Sequence, residues 1–373
     1  MHWARADRLV EVLTSFTPSA MASRVRIGVV GLGIIGPRHA SSVIACPDAE
    51  LVCIVDPSEA ARLVASNYDV PWFQSIEDML RQVHLDAAIV CTPNNTHVSI
   101  GSVLLNAGVH VLVEKPISTT AESGQQLVDI ARATRKQLVV GHHRRFNPYT
   151  IATKQVLSSG RIGKVVAVSG LWATYKPPTY YEPPVEWRAT AGSGGPILIN
   201  LIHEIDTLQY LLGHITRVHA EQTESQRGHD VEEGAACLLR FASGVVGTFI
   251  LSDATPSPHT FEQATGENPL LPKVGRDIYR IFGTEGTLSV GDMKVSTYED
   301  VEKSWTSELT EGVVSVGDEV PFDEQVKHFV RIVRGEEPPR CSGEDGVRAV
   351  LVCEAIKRAL ATGEAVNVPL STS

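Results

Sequence analysis

The stretch Arg26-Ile27-Gly28-Val29-Val30-Gly31-Leu32-Gly33-Ile34-Ile35-Gly36, with Asp56 twenty positions after its last glycine, constrains the fold of this chain more than any other feature. Residues 25–30 are a short apolar strand, and Gly31, Gly33 and Gly36 follow it as G-x-G-x-x-G, where a helix is expected to start. In such a turn the first glycine permits the tight bend. The second lets the backbone approach a pyrophosphate, and the third lets the helix pack close to the strand. The helix N-terminus offers unpaired N–H groups and a positive dipole to that anion. Residues 51–55 form a second apolar strand with Asp56 at its tip. A carboxylate there bonds the two hydroxyls of an adenosine ribose and repels a 2′-phosphate, which favours NAD over NADP. The pattern predicts a dinucleotide site built from Gly31, Gly33, Ile34, Ile35, Gly36 and Asp56.

The rest of the chain extends this start into two domains, for which 373 residues suffice. Strands are expected at 25–30, 51–55, 86–91, 109–113 and 137–141. Helical stretches are expected at 37–46, 58–66, 75–83, 96–107 and 119–135. This alternation predicts a doubly wound parallel sheet over residues 24–145. Beyond Asn147-Pro148 the strands become adjacent in sequence, with hairpin signals at 242–244 and 283–286, and helices are expected at 198–212, 322–334 and 343–361. The second domain, 146–373, is expected to be α+β with an antiparallel sheet covered by helices on one face. Residues 253–275, rich in Pro and Gly, are expected to be a long irregular loop. Residues 1–23 are expected to be a poorly ordered extension, because Arg5, Asp7, Arg8 and Glu11 break up any apolar leader core.

Composition narrows the classes of partner. A net charge of −10 argues against a surface that tracks nucleic-acid phosphates. No apolar run approaches the ~20 residues of a membrane span. The six cysteines show no C-x-x-C spacing, which points to a reduced, cytoplasmic protein with no metal site. A small-molecule substrate is the partner these features leave.

Further motifs fall where a parallel sheet presents its ligand, at the carboxyl ends of strands. Cys91-Thr92-Pro93-Asn94-Asn95-Thr96-His97 places Thr92, Pro93 and Asn95 on the nicotinamide side of the cofactor. His97, grouped with them, falls in the first turn of the next helix, where a structural role outweighs a catalytic one. In Glu114-Lys115-Pro116, Pro116 enforces an extended turn that aims Lys115 at the crevice. Glu114 is expected to pair with that lysine or with a cofactor ribose. Gly141-His142-His143-Arg144-Arg145-Phe146-Asn147-Pro148 crowds polar groups at the domain boundary, with His142, Arg145 and Asn147 expected beside the site. Residues 192–206 run from a glycine loop into a helix on which Asn200, His203 and Asp206 are three apart. Asp206 would orient the His203 ring or tie the helix down. Between 172 and 188 lie Lys176, Tyr180, Tyr181, Trp187 and Arg188, aromatics to stack on a ring and cations to bind a carboxylate. Lys176, Tyr181, Arg188, Asn200, His142 and Asn147 are the candidate substrate contacts.

Taken in order, GLGIIG, CTPNNTH, EKP, GHHRRFNP and GGPILINLIHEID resemble the glucose–fructose oxidoreductase / inositol dehydrogenase / rhizopine catabolism (Gfo/Idh/MocA) family, over essentially all of residues 24–370. The LINLIHEID form looks like a subgroup of it. The resemblance implies an N-terminal Rossmann domain and a C-terminal domain whose large open sheet forms a dimer or tetramer interface. It implies hydride transfer between NAD and a secondary alcohol of a sugar, cyclitol, sugar acid or cyclic diol, with Lys115 and His203 as the catalytic pair. Many members carry an aspartate four residues before the histidine, where this chain has Ile199. Asp253, at a strand end, is a candidate replacement. Two other readings stay open: a lyase, glycosidase or epimerase with resident NAD, and a non-enzymatic NAD-binding sensor.

Overall fold

The computed structural model describes residues 23–183, 185–192, 194–299 and 301–370; the expected N-terminal extension, save its last residue, lies outside them. Two sheets organise the chain. The first holds β1 (Val25–Val30), β2 (Ala49–Val55), β3 (Trp72–Phe73), β4 (Ala87–Val90), β5 (His110–Val113) and β6 (Leu138–Val140), in the order β3-β2-β1-β4-β5-β6. All its pairings are parallel. These strands are nearly unbroken runs of Val, Ile, Leu and Ala because helices cover both faces. Strand order reverses between β1 and β4, so a crevice opens there at the strands' carboxyl ends. Side-chain caps start several of the covering helices. Ser58 accepts from the Ala60 N–H, Ser75 from Asp78 and Thr120 from Ser123.

The second sheet has nine strands: β7 (Val165–Ala173), β8 (Ile215–Gln222), β9 (Gly234–Phe241), β10 (Val246–Ser252), β11 (Tyr279–Gly283), β12 (Gly286–Val290), β13 (Lys294–Thr297), β14 (Thr310–Val313) and β15 (Val366–Asn367). Their order is β14-β13-β12-β11-β7-β10-β9-β8-β15. Every pairing is antiparallel except β7 with β10. Burial alternates along β9 and β10, as expected of a sheet with one covered face. The helices Ile202–Leu212 and Gly343–Thr362 pack against each other, the latter also on β8. The opposite face exposes Val166, Leu238, Val246, Ile250 and Phe282.

The fold class is as the sequence predicts; several elements are not. Residues 253–275 are not wholly irregular: Phe261–Thr265 is a helix capped by the Thr260 side chain. The helix Pro148–Ser159 starts on Asn147, which accepts the Tyr149 N–H, and ends at Gly160 in the left-handed conformation. The predicted helix 198–212 opens as a π turn, Ile197–Leu201, before becoming α-helical at Ile202. After the nine-stranded sheet the chain returns to the first domain. The helix Pro321–Val333 places Val326, Phe329, Val330 and Ile332 in one apolar cluster with Val25, Ile27, Val29 and Ile89. Among the described residues no helix is long and apolar enough to cross a membrane, and all six cysteines are buried and free.

Candidate active site

The glycine turn has the shape its spacing predicts. Gly31 has a φ of +93°, and a Cβ there would lie 2.8 Å from the Cys91 carbonyl oxygen. A Cβ on Gly36 would lie 2.0 Å from the Gly31 carbonyl oxygen, which forces glycine where helix and turn meet. Gly33 is different, since a Cβ there would meet nothing within 4 Å. Its open side, at the N-terminus of the helix Gly36–Ala45, is the cradle a pyrophosphate needs. Asp56 accepts the Leu32 N–H on one carboxylate oxygen (2.7 Å) and the Ser58 N–H on the other (2.8 Å). These bonds hold the carboxylate at the rim of the turn with lone pairs left for ribose hydroxyls. Ile34 is 83% exposed, Ile35 half-buried, and Thr92, Pro93 and Asn95 border the same crevice from the end of β4. The residues present fit a dinucleotide.

Two predicted cofactor contacts face the interior instead. His97 is fully buried; Nδ1 pairs with the Pro116 carbonyl oxygen (2.7 Å) and Nε2 with that of Thr92 (2.8 Å). It ties two crevice loops together and has no ring surface left for a cofactor. Glu114 is also buried, with Oε1 2.7 Å from His39 Nε2 and Oε2 accepting the Lys115 N–H. Burial alone would raise its pKa. The His39 hydrogen bond and the charges of His39, His143 and Lys115 overcome this and hold it at about 2. Glu114 therefore joins the phosphate-turn helix to the lysine loop. The His39 signal was present in the sequence, three residues after Gly36.

Lys115 precedes a cis proline and is half-buried, its Nζ donating to the Ile199 carbonyl oxygen (3.3 Å). Burial lowers its pKa, against the pull of Glu114. From the second domain His203 comes to the same place. Its Nδ1 is buried without a partner, and its ring meets those of His143 (5.5 Å between centroids) and His142 (6.2 Å) edge-on. Burial, then the charges of Lys115 and Arg144, push its pKa well below the ordinary histidine value. Asp206 does not orient this ring. It takes a two-pronged ion pair from Arg145 (2.7 and 3.0 Å) and lies 3.7 Å from His142 Nδ1. Its task is to clamp the helix to residues 142–147.

That segment is more structural than the sequence reading supposes. Asn147 is the helix cap described above, and its amide donates to Glu267 (3.3 Å), so it is not free for substrate. Arg145 is spent on Asp206, Asp345 and the Arg340 carbonyl oxygen. Arg144 is ion-paired with Glu204, Glu262 and Glu267, and Tyr279 donates to Glu204. Burial raises Glu204 to about 7 despite the Arg144 charge. His142 has both ring nitrogens buried without a hydrogen-bond partner, and burial lowers its pKa to about 4.

The remaining candidates form a second group. Lys176 Nζ donates to Asn200 Oδ1 (2.5 Å) and lies 3.7 Å from Asp253; burial lowers its pKa to about 8. Tyr181 donates its hydroxyl to Asp253 (2.5 Å). Arg188 stacks over the Tyr180 ring at 4.0 Å and donates to the Tyr180 carbonyl oxygen. Asp253 is thus engaged with Tyr181, Lys176 and Arg227, and does not stand in for the aspartate that Ile199 replaces. At Ile199 the backbone carbonyl provides the acceptor for Lys115. Arg227, in a loop without periodicity, carried no sequence signal.

Comparison with known proteins agrees with the two-domain fold. Residues 25–142 match the model of the GFO_IDH_MocA "Oxidoreductase family, NAD-binding Rossmann fold", and residues 154–368 match its "C-terminal alpha/beta domain". The chain is 26% identical over 347 residues to inositol 2-dehydrogenase of Rhizobium meliloti (strain 1021), covering 92% of this chain and 99% of that one. It is 27% identical over 348 residues to 1,5-anhydro-D-fructose reductase of Ensifer adhaerens, covering 92% and 98%. Among solved structures it resembles the WlbA dehydrogenase from Bordetella pertussis in complex with NADH and UDP-GlcNAcA. The TM-score is 0.75 at 24% identity, over 93% of this chain and 100% of that one.

Proposed function

The chain belongs to the GFO_IDH_MocA oxidoreductase family, and from that membership we propose that it transfers a hydride between NAD and a secondary alcohol on a sugar, cyclitol or related diol. The names of the relatives, inositol 2-dehydrogenase and 1,5-anhydro-D-fructose reductase, support this substrate class. The observation that carries the reading is the meeting of Lys115 and His203, one from each domain, at the end of the crevice that starts at Gly31. Lys115 Nζ donates to the carbonyl oxygen of Ile199, four residues before His203. The family models support a division into an NAD-binding part, 24–145, and a substrate-binding part, 146–373.

The chain's own groups divide the work as follows. Gly31, Gly33 and Gly36 admit the pyrophosphate, and Asp56 selects the ribose without a 2′-phosphate. NAD, when bound, supplies the hydride acceptor. Lys115 donates a hydrogen bond to the reacting hydroxyl oxygen as negative charge builds there. His203, held neutral by its surroundings, is the group to receive the hydroxyl proton. The carbonyl of Ile199 keeps the Lys115 ammonium in place. The exposed apolar face of the nine-stranded sheet, with Leu238 and Ile250 at its centre, favours a homo-oligomer joined through that sheet.

Replacing His203 by Ala is expected to lower turnover about 10²- to 10⁴-fold with much less effect on NAD affinity. NADH formation by wild type and variant, over a panel of cyclitols, aldoses and sugar acids, measures this. Equal turnover in the two proteins defeats the assignment.

A further inference from the structure

Residues 175–182 and 226–229 border a cavity of about 530 Å³ in the second domain, within the range of roughly 300–1,000 Å³ typical of small-molecule sites. None of the predicted cofactor residues lines it. Its sides are rings. Tyr175 is 52% exposed, and Tyr181 has the His229 ring 4.6 Å away. Its polar groups are the Arg227 guanidinium, the Glu182 carboxylate, the Gln226 amide and His229, whose Nδ1 is buried without a hydrogen-bond partner.

The cations nearby are already spent. Arg227 Nη1 pairs with Asp253 Oδ1 (2.8 Å) and lies 3.6 Å from Glu233, while Nη2 donates to the carbonyl oxygens of Lys176 and Asp253. Lys176 is held by Asn200 and Asp253. With Arg227 and Lys176 both paired to Asp253 and the Glu182 carboxylate lining the cavity, a neutral occupant is favoured over a carboxylate or phosphate. Aromatic faces combined with amide, imidazole and carboxylate groups suit a ring bearing several hydroxyls.

A chain of bonded side chains runs from the cavity wall to the reaction centre. Tyr181 reaches Asp253, Asp253 neighbours Lys176, and Lys176 bonds Asn200. Asn200 follows Ile199, whose carbonyl takes the Lys115 ammonium. We propose that this cavity is a second ring subsite, accepting a glycosyl or similar polyhydroxylated unit attached to the ring oxidised at Lys115 and His203. The inference rests on the dehydrogenase reading above and narrows its substrate class from one ring to two. It also moves the selective contacts away from the cations at 176 and 188 to the Tyr175, Tyr181 and Gln226 surfaces.

The test is calorimetric titration of the NAD-loaded full chain with matched pairs: glucose and cellobiose, myo-inositol and its α-galactoside, glucuronate and its β-glucoside. In at least one pair the two-ring compound is expected to bind about five- to tenfold more tightly, as one aromatic stacking contact allows. Tyr175→Ala or Gln226→Ala is expected to remove most of that gain, and NAD binding by the same samples reports that each variant is folded. Absence of a gain in every pair, or a gain that survives both substitutions, overturns the subsite. Failure of the dehydrogenase reading looks different: no NADH forms with any one-ring compound although NAD binds.

Discussion

Two alanines placed three residues apart separate what the glycine turn does for folding from what it does for binding. At Gly33 an added Cβ meets no atom within 4 Å, and the residue does not have a left-handed φ. Gly33→Ala is therefore expected to leave stability within about 0.5 kcal/mol of wild type, or to raise it slightly by stiffening the unfolded chain. The new methyl group occupies the open side of the turn, where the pyrophosphate must approach. NAD affinity is expected to fall at least about tenfold, or roughly 1.4 kcal/mol. Gly36→Ala puts its Cβ 2.0 Å from the Gly31 carbonyl oxygen, a contact that only a shift of the turn or helix can relieve. Overpacking of this kind costs about 1–3 kcal/mol. Urea unfolding reads the stabilities, and quenching of tryptophan fluorescence by NADH reads the affinities. If Gly33→Ala binds NADH like wild type, the turn is not the phosphate site. If it loses as much stability as Gly36→Ala, the open cradle is not real.

Replacing Asp56 by Ala removes the charge that opposes a 2′-phosphate and the anchor of the Leu32 N–H; the ratio of NADPH to NADH dissociation constants is expected to fall about tenfold, and an unchanged ratio contradicts the role. Glu114 and Glu267 are both held at about 2, the first by His39 and the second by Arg144 and His143, each against the opposing effect of burial. A carboxylate with a depressed folded pKa contributes stability above its unfolded value that is lost as pH falls through the folded one. Urea midpoints are thus expected to decline steeply between about pH 4.5 and pH 2. Glu114→Gln is expected to flatten that decline, and an unflattened slope shows that the His39 pairing is not its source.

Much of this molecule was legible because the signals are local. The parallel sheet follows from apolar runs alternating with amphipathic stretches, and the phosphate turn from glycine spacing with an acid at the next strand's tip. Lys115 and His203 stood out because each lies beside a recognisable punctuation, a proline after the first and a glycine loop before the second. The misreadings arise where a side chain's partner is far away in sequence. Nothing near Asp206 announces Arg145, sixty-one residues earlier, and nothing near Glu114 announces His39, seventy-five earlier. Asn147 read as a site residue, yet an asparagine before proline is also a helix cap, and the cap is what the backbone uses. Spacing arguments on the helix around His203 failed for a different reason. His203 and Asp206 do share the α-helix Ile202–Leu212, but Arg145 takes the carboxylate; Asn200 lies in the π turn 197–201, where 3.6 residues per turn does not hold. The short strands β3 and β13 to β15 carry too few residues for a periodic signal.

The return of the helix Pro321–Val333 to the first sheet bears on how the protein is made. Val326, Phe329, Val330 and Ile332 complete an apolar cluster whose other members, Val25, Ile27 and Val29, are among the first described residues to leave the ribosome. The nucleotide-binding domain thus emerges with part of one face uncovered. Its covering helix follows about 190 residues after that domain is finished, a delay of roughly 10–40 s at ordinary rates of synthesis. During that interval an apolar patch on the sheet is open to chaperones or to other nascent chains. Biosynthesis is then the stage at which this fold is most exposed to aggregation, and the last quarter of the message governs when the first domain becomes safe.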